Sequence, residues 1–253
     1  MDKKKAFSSD DMLKVLNACY SQAVKGIKNV SPPIERLADD YLKKSPNVEA
    51  AAKKMLNYQV AKCATSGFIT GFGGLITMPV TIPANLSSVL YVQMRMIAAT
   101  AYMGGYDLND DQIQTFVYVC LAGVSITELI KKAGVNITNK LALKGLEKLP
   151  GKILTKINQK VGFRLVTKFG EKGAINLVKV VPVAGAVVNA GFDFAETKAI
   201  ANRAYKMFIE GEYTAPADED EAKLVSDTST DGVVDNGILD SDEALRILAE
   251  SEV

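Results

Sequence analysis

The sequence contains no histidine and no tryptophan. Without imidazole it lacks the side chain that ordinarily moves protons near neutral pH and is the commonest metal ligand, so most familiar hydrolase and metalloenzyme designs are excluded. Cysteine is scarce: Cys19, Cys63 and Cys120 stand far apart, with no CxxC pair and no secretory leader ahead of them. Each lies among apolar residues, so they read as core thiols in a reducing cytosol. No cofactor is expected. Strand-like alternation is rare, and charge is absent altogether from Cys63 to Met94.

That uncharged run must be hidden from water, yet it is cut by Gly67, Gly71, Gly73, Gly74, Pro79 and Pro83. A membrane-spanning helix needs about 20 mainly apolar residues. Here Thr65, Ser66, Thr70, Thr77 and Thr81 interrupt the apolar surface, and the prolines remove amide donors that lipid cannot replace. The expectation is a glycine-rich helical hairpin, packed in a core or dipping shallowly into a bilayer through Phe68, Phe72, Leu75 and Ile76. Gly67 and Gly71 have the spacing of close helix contact, and no Lys-Ser or Lys-Thr follows Gly73-Gly74 to make a phosphate-binding loop.

The net charge of +1 conceals a division. From Pro216 to Val253 twelve acids face only Lys223 and Arg246, a balance of −10 that leaves +11 for residues 1–215. Within the body, Lys140, Lys144, Lys148, Lys152, Lys156, Lys160, Arg164, Lys168 and Lys172 recur at every fourth position. On a helix of 3.6 residues per turn this spacing draws a slowly winding cationic stripe. Ile153, Ile157, Val161, Leu165 and Phe169 follow one residue behind, which predicts a basic amphipathic helix starting at Pro150-Gly151. Phe163 and Phe169 give little for base stacking, so nucleic acid is not the expected partner. An anionic membrane surface is. The acidic tail, of near-equal opposite charge, is placed to fold back over the stripe and compete with lipid. Asp227, Ser229, Asp231 and Gly232 resemble the opening of a calcium loop, but its twelfth position is Ile238 instead of glutamate.

Elsewhere the pattern is helical. Ser9 before Asp10 and Asp11 reads as an N-cap, with Met12, Val15, Leu16, Cys19, Ala23 and Ile27 on one face. Pro32-Pro33 restart the chain, and Ser45-Pro46 read as the cap of a helix carrying Val48, Ala52, Met55, Leu56 and Val60. A helix from Ala84 to Met103 is expected to stop at Gly104-Gly105. Another opens at Asp110-Asp111 and carries Ile113, Phe116, Val117, Cys120 and Val124, ahead of Gly134. The last runs from Pro182 through Glu196, Ile200 and Arg203 to about Glu210.

Three blocks, in order, carry a resemblance. They are Thr65–Gly74 with Met78-Pro79 and Ile82–Leu86; Gln93–Ala98 with Tyr102 and Gly105–Asp107; and Val181–Gly185 with Asn189, Thr197, Ile200, Arg203 and Ala204. Together they resemble the EcsC family from about Pro32 to Tyr213. The resemblance implies an all-helical bacterial protein whose namesake is encoded beside the ATPase and membrane subunits of an ABC transporter. It implies no reaction. Asn85 stands where the resemblance implies an acid, which argues against a catalytic carboxylate there.

Polar residues in apolar surroundings are Asn85, Gln93, Arg95, Glu128, Asn189, Asp193 and Glu196. They are expected to meet one another, since burial without a partner is costly, with Arg95 pairing Glu128, Asp193 or Glu196. The reading is therefore an all-α bundle over residues 1–213 and an acidic tail over 214–253 with a short helix. Its expected role is non-enzymatic and peripheral to the inner face of the membrane, accessory to a membrane transporter complex. The alternatives are a soluble binder of a lipid-like ligand, held between the hairpin and Val181–Phe194, and a carboxylate enzyme built on Asp193 and Glu196.

Overall fold

The computed structural model describes residues 8–64, 84–126, 129–130, 148–169 and 196–212, together with Arg246. Among them all regular structure is helical, and the chain is an all-α bundle. Helix α1 (Ser9–Lys25) starts one residue earlier than expected: Ser8, not Ser9, is the N-cap. The Ser8 hydroxyl accepts the Asp11 amide at 3.2 Å, while the Asp11 carboxylate accepts from the Ser8 amide and hydroxyl. That reciprocal box satisfies orphan donors at the helix start. The apolar face buries Met12, Val15, Leu16, Cys19 and Ala23 as the spacing requires.

Helix α2 (Ile34–Leu42) follows Pro33, and α3 (Val48–Ala64) follows a short turn. The cap of α3 is Asn47 in place of the expected Ser45: its Oδ1 accepts the Ala50 amide at 2.8 Å, and Pro46 lies outside the helix. Helix α4 (Ala84–Met103) has the bounds that Pro83 and Gly104 imply. Every residue from Leu90 to Ala101 is buried. A helix apolar on all sides belongs in a core, and α4 packs against α1, α2, α3 and α5. Burying side chains such as Tyr91, Met94 and Met96 contributes about 1.5–3 kcal/mol each.

Helix α5 (Asp111–Ala122) ends well short of the position the apolar periodicity suggested. Gly123 adopts φ 65°, ψ 34°, the left-handed conformation that closes helices and favours glycine, and it breaks the pattern before Val124. Helix α6 (Gly151–Phe169) starts at the Pro150 break and packs on α1 and α5. Its entry is pinned by the Leu149 amide donating to Gln112 Oε1 at 2.7 Å. Gly162 fits α6 closely to α1, because a Cβ there would lie 2.9 Å from the Ser9 carbonyl oxygen. The final helix, α7, is described over residues 196–205 and continues into a π-helical turn, Lys206–Glu210, ended by Gly211. That turn packs on α3 and α4. At its closest approach a Cβ on Gly104 would stand 2.2 Å from the Phe208 carbonyl oxygen.

Candidate functional site

The cationic stripe divides in two. A step of four residues advances about 40° around a helix, so five cations spaced this way cover far more than one face. Taking Lys152 as zero, Lys156 lies at about 40° and Lys160 at about 80°, whereas Arg164 and Lys168 come to about 120° and 160°. The structure follows that rotation: Lys152, Lys156 and Lys160 are exposed, as is Lys148 just ahead of the helix. Ile157, Val161 and Leu165, at about 140°, 180° and 220°, are buried.

Arg164 and Lys168 therefore do not belong to the outer surface, against expectation. Arg164 Nε donates to the Ala122 carbonyl at 2.9 Å, and Lys168 Nζ meets Glu196 Oε1 at 3.0 Å with both side chains mostly covered. Arg203 of α7 donates from Nε to the Cys120 carbonyl at 3.2 Å. Two guanidinium groups thus occupy the C-terminal end of α5, where unsatisfied carbonyls and the helix dipole favour positive charge. Lys148 sits 3.6 Å from Asp110 but is 89% exposed, so that pair contributes little.

Of the expected polar set, the described side chains are those of Gln93, Arg95 and Glu196, and these three go to different partners. Arg95, the single charge in α4, donates from Nη1 to the Ala23 carbonyl at 2.9 Å and from Nη2 to that of Pro32. It thereby closes the end of α1 and holds the loop to α2. Tyr91, one turn earlier, joins Ser31 at 2.5 Å between hydroxyl oxygens. Within that loop, Ile27 and Ser31 exchange backbone bonds and Gly26 takes φ 76°. Desolvation pulls the Arg95 pKa below the usual guanidinium value, partly offset by Tyr91 and Glu35. Arg95 and Glu196 are thus not each other's partner: Arg95 meets backbone carbonyls at a helix end, and Glu196 meets Lys168. Gln93 Nε2 lies 3.5 Å from Thr197 Oγ1 across α4 and α7.

Burial pushes the thiols of Cys19 and Cys120 up to about 12, consistent with core positions for both. The side chains of Asn85, Cys63, Glu128, Asn189 and Asp193 lie outside the described residues, as do Phe68, Phe72, Leu75, Ile76, Lys140, Lys144 and the loop beginning at Asp227. Among the described residues no helix is long and apolar enough to cross a membrane, and no group of three or more His, Cys, Asp or Glu could hold a metal ion. Phe163, which the sequence reading weighed for base stacking alone, is 65% exposed on α6. A helical projection would have found it.

These features define an all-α bundle with a cationic amphipathic helix on its outside and arginines at the ends of its inner helices. The model of the EcsC protein family matches residues 10–209, and the chain belongs to that family. No curated protein and no solved structure matches it.

Proposed function

We propose that this chain is a non-enzymatic protein that rests peripherally on an anionic membrane surface at the inner face of the membrane, as an accessory to a membrane transport complex. The observation that carries the reading is the exposed row of Lys148, just ahead of α6, and Lys152, Lys156 and Lys160 on α6, a helix with no acidic residue of its own. Each well-placed cation contributes about 1 kcal/mol of attraction to an anionic leaflet, so four give reversible binding without a membrane span. Glu196 supports this reading over a carboxylate enzyme, since its carboxylate is held by Lys168.

Flotation with phosphatidylcholine vesicles, with and without phosphatidylserine, tests the proposal. Co-flotation is expected only with the anionic vesicles and should fall as salt screens the contact. Failure to float with anionic vesicles in dilute salt would sink it. In the same assay, removing residues 216–253 should raise recovery, whereas equal recovery would show that the tail does not compete.

A further inference from the structure

We infer that the membrane contact is centred on Phe163, which acts as an apolar anchor inserted between lipid headgroups while Lys152, Lys156 and Lys160 surround it. The inference rests on the proposed membrane association and assigns it a surface and an orientation.

Phe163 falls at about 20° on the projection that puts Lys152 at zero, between Lys152 and Lys156. Lys160 at about 80°, Thr167 at about 60° and Gln159 at about −20° complete the surrounding arc. The arc is exposed throughout, from Lys152 through Thr155, Lys156, Gln159, Lys160 and Phe163 to Thr167. Among the described residues the other exposed large hydrophobics are Val30 and Val48, each 37% exposed against 65% for Phe163. A benzyl side chain so open to water makes no packing contribution that would explain its position. The surrounding lysines can run their apolar stems along such a ring while their charged heads stay at the headgroup level, an arrangement suited to a membrane interface.

Charge complementarity selects the occupant. Helix α6 brings no acid to this face. On α1, which packs against α6, Asp11 lies 3.6 Å from Lys14. The side chains around Phe163 on the exposed arc are Lys, Gln and Thr, without a second aromatic to stack on a chain of bases. An anionic lipid surface satisfies both the cations and the lone apolar side chain, and α6 then lies parallel to the membrane with its Ile157–Leu165 side toward the bundle.

The absence of tryptophan makes the test direct, because Phe163→Trp introduces the one tryptophan of the full-length chain. With phosphatidylserine-containing vesicles its emission is expected to shift to the blue and to be quenched by brominated acyl chains, with affinity equal to or above that of the parent. Phe163→Ser should keep its helical circular dichroism, since the position is exposed, and lose about tenfold in vesicle affinity. If the parent protein floats with anionic vesicles while Phe163→Ser binds equally and the Phe163→Trp emission stays unmoved, the anchor is wrong and the broader membrane reading stands. If the parent does not float, both fall. Quenching of the Phe163→Trp emission by a mixed-sequence oligonucleotide, with no response to vesicles, would assign the face to nucleic acid and overturn the inference.

Discussion

Helices α4 and α6 are nearly the same length, 20 and 19 residues, and are built on opposite plans. Helix α4 is buried on all sides from Leu90 to Ala101 and carries one charge; α6 carries five cations, of which three point to solvent. Yet their inward cations do the same work. Arg95 ends α1 and ties down the following loop, and Arg164 ends α5 with Arg203 beside it. In this bundle a covered arginine serves a helix terminus, where several carbonyls lack intrahelical partners and the dipole is negative. A guanidinium suits that position because its planar fork reaches two carbonyls at once. Charge count alone therefore misjudges both helices: the function of a cation is decided by the angle at which the helix presents it.

The largest effect is expected inside α4. Replacing Arg95 with Leu removes two charge-assisted hydrogen bonds and leaves the carbonyls of Ala23 and Pro32 without their donor, a loss of about 3 kcal/mol in chemical denaturation. Arg95→Lys should recover only part, because one ammonium cannot reproduce the two-pronged contact. Full stability in Arg95→Leu would mean that water or a rearranged loop satisfies those carbonyls, and the comparison between the two helices would lose its first half.

A smaller loss is expected where α4 ends. Gly104→Ala puts a methyl group 2.2 Å from the Phe208 carbonyl oxygen, and the obstacle is backbone, which cannot swing aside as a side chain can. The contact between the end of α4 and the π-helical turn must open, at a cost of about 2 kcal/mol in denaturation midpoint terms. An unchanged midpoint would show that this end of α4 is looser than its packing implies.

Much of this was legible in the sequence wherever a local signal marks a boundary. Pro83 and Gly104 bracket α4, Pro150 starts α6, and the final helix stops at Glu210 as its pattern suggested. Adjacent serines made the α1 cap ambiguous by one residue, and Asn47 outcompeted Ser45 because its amide oxygen meets the Ala50 amide. Gly123 was hidden by apolar neighbours that continue the helical period on both sides, and a glycine within such a pattern does not by itself announce a terminus. The partners of Arg95 were beyond sequence reasoning for a different reason. Sequence pairs charges with charges, whereas tertiary packing delivered the end of α1, whose carbonyls no composition records. For α6 the information was present in the spacing: a step of four drifts about 40° per repeat, so the stripe had to turn inward before Lys168.

That drift gives the sharpest contrast available within one element. Lys160 and Arg164 are one step apart in the same stripe, yet Lys160 faces solvent and Arg164 holds the Ala122 carbonyl. Arg164→Ala should cost about 1.5 kcal/mol, the loss of one charge-assisted bond at a partly covered helix end. Lys160→Ala should change stability by less than about 0.5 kcal/mol, the range for exposed positions. The two variants should separate in the opposite sense on vesicles, where losing Lys160 removes a headgroup contact and losing Arg164 removes none. Arg203 donates from Nε to a different carbonyl, that of Cys120, in the same helix end. Equal denaturation midpoints for Arg164→Ala and Lys160→Ala would mean that both cations are solvent groups, and that the stripe is one surface and not two.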